Sequence, residues 1–396
     1  MTTTQIDRRE WLKKGFLTFG AMALVPSEIW SDTVTDAQKN NRKFLYQNPV
    51  FDEFTPPEFP DLSTIKARLV WNENPYGPSK KAAKAFQEKV FKGNHYSWMS
   101  LGELIEKIAK REGVKSNQIM MGPGSSDLLE KTALVLFQNG GNVVSADPSY
   151  MSLVSVAKAF GGNWKAIKLT KDYQHDLEAM EAAIDDQTKL VYITNPNNPT
   201  ATITDVEKLK NFCARVSDKV PVFIDEAYIE LTNSGAANSM ASLVTEGKNI
   251  LISRTFSKIH GMAGLRIGYM LGSTALLEKI QKITRAGMGI SGPTIAAANA
   301  SMDDAEFLAS TKQKIIDAKT YTTNVLKEMG ITPMPSETNF LIFPIQMDGN
   351  EFLKKIYDKK VVVRAFTFWD QNWCRVSIGT MEEMKIFSES ISEILA

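Results

Sequence analysis

The sequence predicts an α/β fold with a mostly parallel central sheet. Three observations lead to it. Short apolar runs that read as strands alternate with helical patterns from about residue 71 to 270, the order that builds a parallel sheet. The run Val220-Pro221-Val222-Phe223-Ile224 is almost continuously apolar, as expected of a strand buried on both faces. Polar clusters capable of chemistry follow the ends of these runs, where open α/β sheets bind ligands.

Composition sets the outer bounds. At 396 residues and 43% hydrophobic, the chain has material for a large core and two or three domains. A net charge of +1 gives no electrostatic case for nucleic acid or an anionic membrane. No internal repeat or low-complexity tract is present. Two cysteines, Cys213 and Cys374, make no disulfide framework. His95, His175 and His260 lack metal-ligand spacing, so no metal is expected.

The first thirty residues stand apart. Arg8-Arg9-Glu10-Trp11-Leu12-Lys13 is a basic head, followed over 15–25 by an apolar run too short to span a membrane. The Arg-Arg-x-aromatic-Leu-Lys order resembles a twin-arginine export signal, which implies the translocation machinery as a partner and a periplasmic or exported protein. An amphipathic N-terminal helix, and hence a cytoplasmic protein, is the alternative. Residues 31–60 are polar and proline-rich, a linker or arm.

Past the arm, a short strand at 68–71 enters the turn cluster Asn72-Glu73-Asn74-Pro75-Tyr76-Gly77. Ser79 then caps a helix over 80–91, and a second helix follows over 101–112. A strand over 118–121 leads through Gly122-Pro123-Gly124-Ser125-Ser126-Asp127 into a helix over 128–136. Small residues at such a junction make an anion cradle from backbone N–H groups and the helix dipole. The strand over 142–146 ends ahead of Tyr150, which can stack on a planar ring. The strand over 189–194 runs into Asn195-Pro196-Asn197-Asn198-Pro199, by itself an ordinary turn sequence. The 220–224 strand ends in Asp225, a carboxylate that needs a partner if buried. A pyridinium N–H would serve; a helix N-cap is the plainer alternative.

The strand over 249–252 reaches Ser253-Arg254-Thr255-Phe256-Ser257-Lys258, and a glycine-containing segment carries the chain on to Arg266. An amine among the hydroxyls of Ser253, Thr255 and Ser257, with a permanent cation nearby, suits an aldehyde cofactor with a phosphate tail. A surface lysine after a strand is the alternative. Residues 274–328 are helix-rich, with a glycine-rich interruption over 287–293. Arg364 and Arg375 follow or lie in apolar runs near the end. Each could be a surface charge, and together they would clamp a carboxylate or phosphate.

Ser257-Lys258 followed by Gly264-Leu265-Arg266-Ile267-Gly268 resembles the cofactor-lysine motif of the fold type I aminotransferases that use pyridoxal 5'-phosphate (PLP), class I/II, nearest to the histidinol-phosphate aminotransferase group. Six motifs in the family's order extend the resemblance over nearly the whole chain after residue 65. It implies that Lys258 forms a Schiff base with PLP and moves the substrate's α-proton, with Asp225 at the ring nitrogen and Tyr228 and Asn198 at the ring oxygen. It places Ser125, Ser126, Thr255, Ser257 and Arg266 at the phosphate and Tyr150 over the ring. Tyr96 would reach the partner subunit's cofactor phosphate in a homodimer. Asn74, Asn339, Arg364 and Arg375 would meet the substrate. The chain departs from the family at Ser97-Trp98, where the family has Pro-Asp, at Ser126-Asp127, where it has Asp-Glu, and at Ala201, where it has glycine.

The implied architecture is a signal segment over 1–30, an arm over 31–70, a large PLP domain over 71–295 and a small α+β domain over 296–396, completed by the arm. The implied reaction moves an amino group between an amino acid or amino-phosphate and a 2-oxo acid. Other PLP chemistry on this fold (decarboxylation of an amino-acid phosphate, β-elimination, racemisation) and a non-catalytic binding protein are the alternatives.

Overall fold

A computed structural model describes residues 51–395. The twin-arginine segment and the first part of the arm lie outside the described residues. The strands, in chain order, begin with β1 (Asp52–Glu53), β2 (Ala67–Arg68), β3 (Ile119–Gly122), β4 (Gly141–Asp147), β5 (Gly162–Lys168), β6 (Thr188–Thr194) and β7 (Val222–Asp225). They continue with β8 (Ile250–Thr255), β9 (Gly268–Gly272), β10 (Phe340–Ile345), β11 (Val361–Val362), β12 (Arg364–Phe368) and β13 (Gln371–Ser377).

Seven strands form the large sheet, in the order β3-β9-β8-β7-β6-β4-β5. Strands β4 to β8 run parallel to one another, and β9 is antiparallel to both β8 and β3. Successive side chains point to opposite faces, so each central strand feeds two cores. Val191, Ile193, Val222, Ile224, Ile250 and Ile252 pack against helices Lys80–Val90, Trp98–Glu112, Val206–Val216 and Gly292–Met302. Leu190, Tyr192, Phe223 and Leu251 pack against helices Ser125–Leu136, Ser152–Ala159 and Thr274–Gln281. Burial on both faces is why these strands read as continuous apolar runs, each large side chain contributing about 1.5–3 kcal/mol. Ser79 caps its helix as expected, its Oγ accepting from Ala82 N at 3.1 Å.

The second sheet is antiparallel, in the order β1-β12-β13-β10, beside a short parallel pair of β2 with β11. Helices Ala305–Glu328, Gly349–Asp358 and Met381–Leu395 cover it through Ile315, Leu326, Phe352, Ile356, Met384 and Phe387. The arm and the C-terminal third therefore build the smaller domain together. The change of core falls at Asp303–Asp304, later than the expected 295/296 boundary. Helix Gly292–Met302 runs through that boundary and buries Ile295, Ala297 and Ala298 in the large-sheet core.

Both cysteines are buried and unpaired. Among the described residues, no cluster of side chains suits a metal ion and no helix is long and apolar enough to cross a membrane. One close approach bears on function. A Cβ at Gly268 would lie 2.7 Å from Ser125 N and 2.8 Å from the Arg254 carbonyl oxygen. Only glycine lets the start of β9 pass between β8 and the start of the helix that follows β3.

Candidate active site

The carboxyl edge of the large sheet gathers the chemistry. Strand β3 ends at Gly122, just ahead of Ser125 and Ser126; β4 ends at Asp147, ahead of Tyr150; β6 ends at Thr194, ahead of Asn198. Strand β7 ends in Asp225 itself, and β8 ends in Thr255, three residues before Lys258. Because β9 runs the other way, its start brings Arg266 to the same edge. These residues, with Tyr228, Ser257, Arg364 and Arg375, line one cleft of about 280 Å³.

Lys258 Nζ donates to the Asn72 carbonyl oxygen at 3.0 Å and lies 5.3 Å from the centre of the Tyr228 ring. Burial lowers the amine to about 8, helped by Arg375 and Arg266 and opposed by Glu73 and Asp225. Asp225 is 3% exposed, and its Oδ1 accepts from Ser253 Oγ at 2.7 Å. Burial pushes its carboxyl up to about 6, against the pull of Ser253, the Ala227 N–H and Lys258. The helix-cap reading of Asp225 does not hold, since the helical turn Ile229–Leu231 that follows has Tyr228 at its N-cap.

The end of the cleft beside Arg266 is built from backbone and cation. Helix Ser125–Leu136 starts at Gly124 with no side-chain cap on its first N–H groups. Arg266 sits in the left-handed region at φ 53° and donates from Nη1 to the Ala263 carbonyl at 2.8 Å. Its guanidinium lies against Gly124, where any Cβ would collide with it. Thr255 Oγ1 donates to Ser257 Oγ at 2.9 Å, and Ser126 Oγ bonds Tyr150 Oη at 3.3 Å. Burial raises the Tyr150 phenol above its ordinary value.

At the other end, Arg375 of β13 donates from Nη1 to Asn198 Oδ1 at 2.7 Å and from Nη2 to the Val70 carbonyl at 3.1 Å. That leaves the Asn198 Nδ2 donors for a ligand. Arg375 is 3% exposed, and burial, with Arg364 beside it, lowers it to about 10. Arg364 faces it in register across β12 and β13 and is paired with Glu53 of β1.

Two residues expected at this cleft are elsewhere, and a third, Tyr96, was expected only at the partner subunit's cleft. Asn74 does not line the cleft, because both ends of its amide hold the turn: Nδ2 donates to the Ile259 carbonyl at 2.8 Å and Oδ1 accepts from Tyr76 N at 3.0 Å. Asn72 and Glu73 line the cleft in its place. Asn339 is fully buried behind that segment, with Nδ2 donating to the Asn72 and Glu73 carbonyls at 3.0 and 3.2 Å. Tyr96 is 85% exposed and stacks on Trp98, away from this chain's own cleft.

Of the other contributors, Asn72 and Arg254 lie inside the quoted motifs but were given no role of their own. Asn72 is held at φ 54°, bonds Tyr228 Oη through Nδ2 at 3.0 Å, and offers its carbonyl to Lys258. Beneath the cleft, Arg254 Nε donates to Glu226 Oε2 at 2.8 Å, and Glu226 Oε1 also accepts from Met240 N at 2.8 Å. Glu112 lies 3.4 Å from Arg254 and accepts from Tyr269 Oη at 2.7 Å. Burial alone would lower the Arg254 guanidinium, but Glu226 and Glu112 hold it well above its ordinary value. An arginine inside an apolar strand run was the available sign of this pair.

The family model for aminotransferases of class I and II matches residues 64–391. The chain belongs to the class I and II aminotransferases. Among relatives of this aminotransferase, the histidinol-phosphate aminotransferase of Moorella thermoacetica is 34% identical over 332 residues, 83% of this chain and 85% of that protein. Histidinol-phosphate aminotransferase 2 of Pseudomonas aeruginosa is 33% identical over 330 residues, 83% and 89% of the two chains. The putative histidinol-phosphate aminotransferase of Erwinia carotovora atroseptica has a crystal structure that superposes with a TM-score of 0.79 at 29% identity, covering 86% of this chain and 98% of that one. The histidinol-phosphate aminotransferase of Sinorhizobium meliloti in complex with pyridoxal-5'-phosphate superposes with a TM-score of 0.77 at 26% identity, covering 84% and 91%.

The aminotransferase is a PLP-dependent enzyme, and its cleft fits the cofactor on its own chemistry. An uncapped helix start, a glycine that any Cβ would spoil and Arg266 suit the phosphate. A buried carboxylate suits a protonated ring nitrogen, and a lowered amine suits an aldehyde. The amine attacks only when neutral. The rate at which the apoenzyme develops its visible band with PLP should therefore climb to about pH 8 and level off above it. Rapid mixing between pH 6.5 and 10 measures this. A rate still climbing near pH 10 would mean an amine of ordinary basicity.

Proposed function

We propose that Lys258 and Asp225 carry out amino transfer between an amino acid or amino-phosphate and a 2-oxo acid. The convergence of Lys258, Asp225, Tyr150 and Arg266 on one cleft, from four separate segments, supports this reading. PLP supplies an electron sink for the bonds at the substrate's α-carbon. Lys258 Nζ would hold the cofactor aldehyde and would move the proton at the substrate's α-carbon as base and acid. Asp225 keeps the ring nitrogen protonated, with Ser253 fixing its Oδ1. Tyr150 covers the ring, and Asn198 Nδ2 with Tyr228 Oη addresses its oxygen. Ser125, Ser126, Thr255, Ser257 and Arg266 hold the phosphate. Arg375 meets the substrate anion, with the Glu53-paired Arg364 beside it. Asn72 and Glu73 take the place first assigned to Asn74, while Asn339 positions that segment from behind.

The loaded enzyme should change its visible band on adding an amino donor and release an oxo acid. Lys258→Ala should abolish both signals. Asp225→Ala should keep most of the PLP while the rate falls by roughly 100-fold, as when other preorganised electrostatic partners are removed. A rate within a few-fold of wild type in either variant rejects the corresponding role. Carbon dioxide, a released β-substituent or the D-amino acid in place of the oxo acid would point to another PLP reaction.

We also propose that two chains assemble with shared sites. Phe91, Tyr96 and Met99 are 93%, 85% and 84% exposed, with Trp98 beside them. Such a patch suits a second copy of this chain, and the family resemblance sends Tyr96 toward the partner subunit's phosphate cradle. Sedimentation velocity should give a dimer at micromolar concentration. A monomer there would reject the shared site.

The Arg8-Arg9 motif supports export of the folded, cofactor-loaded enzyme. Replacing both arginines with lysine should leave the protein in the cytoplasm, folded and PLP-loaded. Cell fractionation reads the outcome, and undiminished export of the double variant counts against a twin-arginine signal.

A further inference from the structure

The two cleft arginines are not equivalent, and the arm makes the difference. Strand β1 adds to the edge of the small sheet by pairing with β12, Asp52 opposite Thr367 and Glu53 opposite Phe366. The Phe54 N–H extends the ladder to the Ala365 carbonyl at 3.1 Å. Phe51 stacks on Phe366 with ring centroids 5.2 Å apart. The backbone is thus anchored on both sides of Glu53. From there the Glu53 carboxylate reaches Arg364 with both oxygens, Oε1 on Nε and Oε2 on Nη2. This is the bidentate geometry in which a guanidinium recognises a carboxylate or phosphate. The edge of Arg364 that would grip a substrate anion already holds one.

Arg375 has no such counter-ion among the described residues. Its Nη1 and Nη2 donate to a neutral amide and a carbonyl, and its Nε has no hydrogen-bond partner. The other carboxylate in this part of the cleft, Glu73, is already paired with Arg68 at 2.7 Å. Once PLP occupies Arg266, Lys258 and Asp225, the anion subsite carries one uncompensated positive charge. A buried charge of that kind calls for one negative charge.

We infer that Glu53 is a specificity-determining residue: by neutralising Arg364 it restricts the substrate anion to a single negative charge at Arg375, so the enzyme takes carboxylate amino donors in preference to phosphate-bearing ones. This rests on the aminotransferase reading and narrows its substrate class. It also separates this chain from what the names of its histidinol-phosphate relatives would suggest. A phosphate monoester carries close to two negative charges at pH 8, its second ionisation lying near pH 6. It would have to displace Glu53 or sit beside it, and like charges so juxtaposed repel.

The test uses the PLP-loaded full chain at pH 8, with acetate and methyl phosphate as inert probes. Each is titrated by calorimetry, and the visible band is followed in parallel. Wild type should bind acetate more tightly than methyl phosphate. In Glu53→Gln and Glu53→Ala the ratio of the two affinities should shift toward methyl phosphate by about tenfold or more, which is about 1.4 kcal/mol. Asp52→Asn removes a neighbouring exposed charge that pairs with no arginine among the described residues, and should leave the ratio near wild type. Wild type binding methyl phosphate at least as tightly as acetate would overturn the inference, and this readout needs no variant to fold. So would an unchanged ratio in both Glu53 variants, or an equal shift in Asp52→Asn. The underlying reading fails separately, if a mixture of amino acids leaves the wild-type visible band unmoved.

Discussion

The buried pair of Arg254 and Glu226 is the constraint on which the site depends. Arg254 precedes Thr255 and Glu226 follows Asp225, so the pair ties the ends of β8 and β7 one residue away from the working groups. Glu112 and Tyr269 extend the tie to helix Trp98–Glu112 and to β9. Two charges this deep are costly to desolvate, and removing one partner would strand the other, at about 3–5 kcal/mol. Their value lies in geometry. With the two strand ends locked, Ser253 meets Asp225, Lys258 starts from a fixed point, and β9 brings Arg266 to the glycine cradle.

Much of this was legible in the sequence, for a reason particular to parallel sheets. A strand buried on both faces has almost no polar residue until it ends. Val220 to Ile224 therefore announced both the strand and the place where Asp225 would emerge. Tyr150 and Lys258 likewise stand a few residues past an apolar run, while Asn198, which reads alone as part of a turn, was added by the family resemblance. Twelve of the fifteen expected site residues line one cleft, because the fold turns the carboxyl ends of separate strands into one surface.

What the sequence did not disclose depends on local backbone direction or on long-range pairing. Asn72 and Asn74 share one turn, and nothing in their order says which faces the cleft. The left-handed conformation of Asn72 decides it, turning its carbonyl to Lys258 and its amide to Tyr228. Asn339 was expected at the substrate and instead supports the Asn72 and Glu73 carbonyls, a contact across more than 260 residues of chain. Arg364 and Arg375 read as two similar arginines. Their difference comes from a two-residue strand in the arm, too short to leave any periodic pattern.

Ala201 occupies a motif position whose backbone conformation favours glycine. It stands where the family has glycine, and its backbone keeps the left-handed geometry, φ 65°, that glycine adopts readily. That geometry costs an L-residue about 1–2 kcal/mol. Two gains offset only part of the strain. Alanine forfeits less backbone entropy than glycine on folding, by about 0.4–1 kcal/mol. Its fully buried methyl joins the small-domain core beside Tyr228, and burying one such group contributes about 0.8 kcal/mol. Alanine at a positive φ still costs more than its entropy advantage returns. Even without glycine the turn closes, the Ala201 N–H donating to the Asn197 carbonyl at 3.0 Å right beside Asn198.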